Sequence, residues 1–412
     1  MILLGFLISF FCFMLSFYKD KNIISPAVIM SLLWSLSYFL QFFRSDLNHS
    51  SPYYLIFSLG VLFFCIGFYL STDIFNKLKI NKNYSNENIK FINLKIYNIM
   101  FYFVLIVFIY YFLTIYKLVI NNFSFNVWQS IRIAKSTGLY FEPTFIEYGR
   151  VMIICFTLFS LYLWLEKKGD ISSLRLIILF GITLVFCFTA GNRGILFLFI
   201  ISSVLVYIIT KQVENKKIII LLSILLIVIL FVFIVTTFLK FIYEDQSDRG
   251  QFILEKLRLY FTTSMPSFVQ WAKSDYQLSY GANTFNFFVK ILNSLGFNLE
   301  IQSVIQPFIW INDDYTNVYT IFQYYSKDFG IFYSLIVQFV FGIIYGNLFY
   351  KVTNIRKNKV KNLLFLATIY FPLLYQFFDD KYFSLTSTWI QIYIWYTLFE
   401  ILFISKDREV LK

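Results

Sequence analysis

Arg249, Lys256, Arg258, Lys273 and Lys290 fall within residues 241–327, interleaved with Tyr260, Phe261, Trp271, Tyr276 and Tyr280. A guanidinium offers a planar fork that binds phosphate oxygens in pairs, and aromatic faces stack on sugar rings. Such a segment suits a ligand with an anionic head and sugars attached to it. Asp248, Arg249 and the run Arg258-Leu259-Tyr260-Phe261 open the segment. They could equally form an amphipathic helix whose basic residues sit at lipid headgroups. On the residues alone both readings stay open.

Other chemistry-bearing residues lie nearby or in separate parts of the chain. Thr189-Ala190-Gly191-Asn192-Arg193-Gly194 joins two apolar runs with almost no loop, and its glycines permit the reversal. Asn192 and Arg193 thus cap an otherwise apolar hairpin, where an ionisable group is costly and is a candidate for function. The competing reading is an arginine that snorkels to the interface. Glu147 and Arg150 share a helical face at three-residue spacing, which predicts a mutual salt bridge and leaves Arg150 a possible lipid-phosphate contact. Asn317-Val318-Tyr319-Thr320 and Lys327-Asp328-Phe329-Gly330 close the basic segment. Asp328 could be a general base or the N-terminal cap of the next helix. Asp313-Asp314 and Asp379-Asp380 could hold a divalent cation, but a hard-cation site needs several oxygen ligands and such neighbours are commonly solvated turns.

These residues need a frame. Of 412 residues 59% are hydrophobic and only 14% charged, where a soluble domain carries about a quarter charged residues. Mean hydropathy is +0.69. The composition predicts an all-α polytopic membrane protein, a single integral membrane domain over 1–412. Apolar runs of spanning length occupy 2–18, 23–43, 53–71, 97–119, 145–165, 174–190, 194–210, 218–240, 329–350, 362–378 and 386–404, which predicts about 11 transmembrane helices. The first run lacks a basic leader and a small-residue cleavage site, so it is expected to be retained.

Orientation follows from charge. Short loops holding Lys19 and Lys21, Lys77 to Lys95, Lys167 to Arg175, Lys211 to Lys217, Lys351 to Lys361 and the C-terminal Lys406 to Lys412 are basic. The loops between them are nearly neutral apart from two segments. Placing the basic loops in the cytoplasm puts 241–327 on the outer face as one large loop, which in a bacterium would be a periplasmic loop. The net charge of +12 is then the topology signal of a membrane protein, and nucleic acid is not an expected partner. Arg44, Lys117 and Lys381 read as interfacial anchors at span ends. Arg132, Lys135, Arg150 and Arg193 remain on the outer side without a topological reason. Cys12, Cys65, Cys155 and Cys187 lie in apolar runs and read as core residues. His49 is the sole histidine, which leaves no material for a histidine-based mechanism.

The hairpin Gly191-Asn192-Arg193-Gly194 resembles the Gly-Ser-Arg-Gly hairpin of the bacterial oligosaccharide repeat-unit polymerases, the Wzy-type O-antigen polymerases. Four further pieces follow in an order similar to that family's: Arg258-Leu259-Tyr260 leading to Ser264-Met265-Pro266-Ser267-Phe268, Tyr280-Gly281-Ala282-Asn283-Thr284-Phe285, Asn317-Val318-Tyr319-Thr320, and Asp328-Phe329-Gly330. They cover roughly 185–350. Asn192 stands where the family has serine, and the first 180 residues show only general likeness.

The resemblance implies a glycosyltransferase of the inner membrane that builds O-antigen or a related surface polysaccharide. A glycan on polyprenyl (undecaprenyl) diphosphate would pass from its reducing-end C1 to an incoming lipid-linked repeat unit, and the diphosphate would leave. Arg193, Arg249 and Arg258 would bind that diphosphate and Asp328 would be the base, with Arg150, Tyr260, Asn317, Tyr319 and Asn192 around the substrate. No cofactor is expected; a chain-length regulator, a flippase and membrane lipid are the expected partners. A ligase that moves glycan to lipid A core shares this donor and topology, and a lipid-linked oligosaccharide flippase is the other alternative.

Overall fold

The structure is a computed structural model. It describes residues 1–412 except 45, 48, 80–90, 123–129, 132, 133, 135–142, 169, 170, 192, 242–248, 275, 303–305, 355–358 and 406–412. Among the described residues the protein is all-α apart from two short antiparallel ladders, and each of the eleven apolar runs forms a helix. Seven of the described stretches are long and apolar enough to cross a membrane: Ile2–Asp20, Pro52–Ile74, Leu94–Lys117, Thr144–Leu165, Arg193–Lys211, Asn215–Phe238 and Ile331–Thr353. Pro26–Gln41, Ser173–Thr189 and Val360–Tyr375 are shorter apolar helices. The chain divides into two compact units.

The first unit comprises Met1–Asn83, Asp248–Ile355 and Tyr370–Ser387. It contains α1 (Ile2–Asp20), α2 (Pro26–Gln41) and α3 (Leu55–Lys79). The second unit holds β1 (Phe91–Ile92), α4 (Leu94–Asn122), α5 (Thr144–Leu165), α6 (Ser173–Thr189), α7 (Arg193–Lys211) and α8 (Asn215–Phe241). The basic segment returns the chain to the first unit. It forms α9 (Arg249–Thr262), α10 (Ser264–Lys273), α11 (Asn286–Ser294), a hairpin of β2 (Ile309–Ile311) and β3 (Asp314–Thr316), and α12 (Ile321–Phe329). Then come α13 (Ile331–Asn354), α14 (Lys359–Tyr375), α15 (Thr386–Phe403) and β4 (Ile404–Ser405), which pairs antiparallel with β1.

Within the first unit the most extensive packing joins α3 to α13. Small residues bring the backbones together. A Cβ on Gly67 would collide with the Phe339 carbonyl, and one on Gly342 with the Phe64 carbonyl. One on Gly346 would lie 2.5 Å from the Phe68 carbonyl. In lipid, where burying apolar surface gives no drive between helices, such close approach is what associates them.

Four aromatics then fasten the basic segment to the spans. Trp34 of α2 stacks on Phe57 of α3 at 5.1 Å and 9°. Phe268 of α10 and Phe322 of α12 meet Phe57 edge-on at 5.1 and 5.3 Å. All four are buried, and Gly60 leaves the space that the Phe322 ring occupies. Edge-to-face geometry sets the electropositive ring edge against the electronegative face, so the cluster orients the helices as well as burying area.

In the second unit, hydroxyl pairs join neighbouring helices. Thr157 and Thr183 share a hydrogen bond of 2.7 Å between α5 and α6, and the Tyr111 hydroxyl donates to Thr189 Oγ1 at 2.7 Å. Both satisfy polar groups that lipid could not.

Candidate functional site

Two clusters in the first unit bring together residues distant in sequence. The first is built around Asp314. The β2–β3 hairpin turns at Asn312, which takes a positive φ of 52° that asparagine tolerates better than most residues. Alternation along β3 then turns Asp314 and Thr316 inward and leaves Tyr315 outside. Asp314 Oδ1 accepts from Arg258 Nη2 at 2.6 Å, and its Oδ2 lies 2.9 Å from Arg44 Nη1. Arg44 also gives two parallel hydrogen bonds to Asp46, at 2.8 and 2.7 Å, and one to Thr262 Oγ1 at 3.0 Å. Gln41 Nε2 donates to the Thr262 carbonyl at 3.1 Å, and Asn312 Nδ2 to the Asp46 carbonyl at 2.8 Å. The α9–α10 corner, the hairpin and the end of α2 are thereby one hydrogen-bonded assembly. The fork on Arg44 holds the Asp46 carboxyl well below the usual range, and the same bonds raise the Arg44 guanidinium further.

Two arginines and two aspartates make this assembly electrically balanced. Its arginines are not equivalent, however. The Arg44 side chain is only 4% exposed and its donors are used internally, whereas that of Arg258 is 50% exposed. Arg258 spends one nitrogen on Asp314 while half of its side chain is open to solvent. Of the two arginines it is the one an anion could reach. Arg44, expected to be an interfacial anchor, is instead a buried element of the network. Asp313, beside Asp314, is exposed and has no polar partner among the described residues.

The second cluster surrounds Asp328. It lies in the last turn of α12, which ends at Gly330 with φ 87°. It is therefore not the cap of the helix that follows. Its carboxylate is fully buried. Oδ1 accepts from Ser279 Oγ at 2.6 Å and from the Asn283 backbone and side-chain nitrogens at 3.0 Å each. Oδ2 accepts from the Thr284 backbone nitrogen at 2.6 Å and Thr284 Oγ1 at 2.5 Å. The Ser279 and Tyr280 backbone nitrogens donate to the Lys327 and Asp328 carbonyls. Two of the motifs carrying the family resemblance, 280–285 and 328–330, are thus a single folded turn. With five donors on two oxygens, Asp328 positions that turn and has no lone pair left facing a substrate proton.

The remaining residues singled out in the sequence are distributed as follows. Tyr260 lies on α9, its ring 5.1 Å from that of Phe378. Tyr319 is buried, donates to the Pro307 carbonyl at 3.1 Å, and burial pushes its phenol up to about 12, as befits a core residue. Asn317 is partly buried and has no hydrogen-bond partner among the described residues. Arg249 begins α9, but its side chain lies outside the described residues, as do Asn192, Asp248, Arg132 and Lys135. Arg193 and Arg150 belong to the second unit. Arg193 begins α7 and places its guanidinium 4.6 Å from the Phe233 ring centre, a cation–π contact. Arg150 is buried in α5, while Glu147 is exposed, and no ion pair joins them. The salt bridge expected from their spacing does not form.

The acidic pairs split rather than chelate. Asp379 accepts from the Tyr324 hydroxyl at 2.5 Å and from Lys381 Nζ at 2.5 Å. Asp380 is buried and accepts from the Tyr325 hydroxyl and the Tyr382, Phe383 and Ser384 backbone nitrogens. Among the described residues no three His, Cys, Asp or Glu side chains gather as they would around a metal ion. Lys381, expected to be an anchor, is a partner of Asp379.

No family model, curated protein or solved structure matches the chain.

Proposed function

We propose that the protein polymerises oligosaccharide repeat units carried on a polyprenyl diphosphate, at the periplasmic face of a bacterial inner membrane. The observation that carries this reading is Arg258, bonded to the Asp314 that also pairs with the buried Arg44, with half of its side chain open to solvent. A diphosphate leaving group gains negative charge as the glycosidic bond to it breaks. A pre-set guanidinium stabilises that charge without reorganising at the moment of reaction. The join between the 280–285 and 328–330 motifs supports the same reading, because those are pieces on which the family resemblance rests. In this proposal Asp328 is a positioning residue. The proton of the acceptor hydroxyl goes to Asp313, which is exposed and has no hydrogen-bond partner among the described residues. Arg249 remains a proposed diphosphate contact.

Deletion of the gene in its own bacterium, followed by electrophoresis of surface polysaccharide, tests the proposal. A single repeat unit on the carrier or its acceptor is the expected result. Loss of all surface glycan would identify a ligase or flippase instead, and an unchanged length distribution would remove all three.

A further inference from the structure

Helix α11 is amphipathic, and it is turned the wrong way round for water. Phe288, Ile291, Leu292 and Leu295 recur at the three- and four-residue spacing that makes one face, and Asn286, Lys290 and Asn293 make the opposite one. In a helix on a soluble surface the apolar face packs inward. Here Asn286 is buried and donates to the Gln302 carbonyl at 2.8 Å. Asn293 exchanges two hydrogen bonds of 2.8 Å with the backbone of Leu299. The protein's own loop thus covers Asn286 and half-covers Asn293, while Lys290 stays open to water. The apolar face is bare: Phe288 is 50% exposed and Leu295 71%.

The level of this helix is fixed by Asp328. Thr284, two residues before α11, is bonded through both its nitrogen and its hydroxyl to a carboxylate three residues before the first residue of a span-length helix, Ile331–Thr353. The apolar surface is continuous across that junction. A Cβ on Gly281 would lie 2.8 Å from the Phe285 ring and 3.1 Å from the Phe329 ring, so those two exposed rings both border Gly281. Phe332, in the first turn of the span, is 79% exposed and continues the surface into the membrane-crossing helix.

We infer that α11 lies in the headgroup–acyl boundary of the bilayer, with its Phe288–Leu295 face in lipid and its Asn286–Asn293 face toward the protein. Lipid is the one occupant that continues from the span without a break, and a helix of nine residues, about 14 Å long, fits flat in that layer. The helix holds the Asp328 turn at the membrane surface, where a membrane-tethered ligand would meet it.

Full-length Leu295→Cys and Lys290→Cys proteins, each labelled with an environment-sensitive fluorophore in phosphatidylethanolamine–phosphatidylglycerol vesicles, test this. The unsubstituted protein, whose four cysteines are buried, supplies the labelling background. At residue 295 the emission should be blue-shifted and quenched more by a nitroxide on the lipid chain than by iodide, and at 290 this order should reverse. Iodide quenching at 295 equal to that at 290 would place the face in water and overturn the inference. Protection of 295 from both quenchers would mean that protein covers it, which overturns the inference as well.

Discussion

Asp328 and Thr284 are joined twice, the carboxylate accepting both the backbone N–H and the hydroxyl of the threonine at 2.6 and 2.5 Å. The bond spans two sequence motifs and fixes the role of each. Replacing Asp328 with asparagine would set an amide NH2 against donors that now meet an oxygen. The loss is about 1.5–3 kcal/mol for charge-assisted hydrogen bonds. Asp328→Asn should therefore lower the thermal unfolding midpoint and speed hydrogen exchange at 279–284, while turnover per folded molecule stays near the parent's. Unchanged stability with a fall in turnover of about 100-fold would instead make Asp328 the general base.

Arg44 and Arg258 share Asp314 but should respond differently to substitution. Removing one partner of a buried ion pair costs about 3–5 kcal/mol, because the other charge is left without compensation. Arg44→Ala should thus be found largely unfolded or at low abundance. Arg258 is half exposed, where ion pairs contribute about 0–1 kcal/mol, so Arg258→Lys should unfold near the parent temperature. Lysine lacks the fork, so polymerisation should still drop roughly 10- to 150-fold, the size of one charge-assisted contact. Parent-length polysaccharide from Arg258→Lys at normal expression would remove this arginine from the site.

The apolar helices were legible because hydrocarbon demands about 20 apolar residues in a row, a pattern visible in the sequence itself; seven of the described helices reach that length. Arg44 was not. At the end of an apolar run it reads as an anchor, and its burial depends on Thr262 and Asp314, more than 200 residues later. The hairpin has a sequence signal of its own: Ile309-Trp310-Ile311 and Tyr315-Thr316 flank the turn formers Asn312-Asp313. Likewise Phe288, Ile291, Leu292 and Leu295 repeat at helical spacing, but the pattern cannot say which face looks outward. Asp328 was visible as a chemically capable residue. Only the fold shows that its oxygens are occupied.

Asp380 gives the first unit a pH dependence. Burial pushes its carboxyl up to about 6, from an ordinary value near 4. Between those values the folded protein holds a proton that the unfolded chain has released. Its contribution, on the order of 3 kcal/mol, is complete below about pH 4 and is lost as pH rises through about 6. Asp380→Asn stays neutral, so unfolding profiles of parent and variant in detergent should diverge across that window and run parallel above it. Identical pH profiles would place the Asp380 titration outside this range.

The α3–α13 contact can be separated from helix propensity by comparing two glycines. At Gly181 in α6 an added Cβ meets nothing within 4 Å, so Gly181→Ala should be neutral or stabilising by up to about 1 kcal/mol through helix propensity alone. At Gly342 the same methyl collides with the Phe64 carbonyl, a backbone atom that cannot rotate aside. The helices must move apart, and overpacking of this kind costs about 1–3 kcal/mol. Gly67 and Gly346 make similar approaches in the same contact, so a shift at one loosens the others. Gly342→Ala should lower the unfolding midpoint while Gly181→Ala leaves or raises it. Equal shifts in the two variants would mean that α3 and α13 separate without cost, and that close backbone approach is not what joins them.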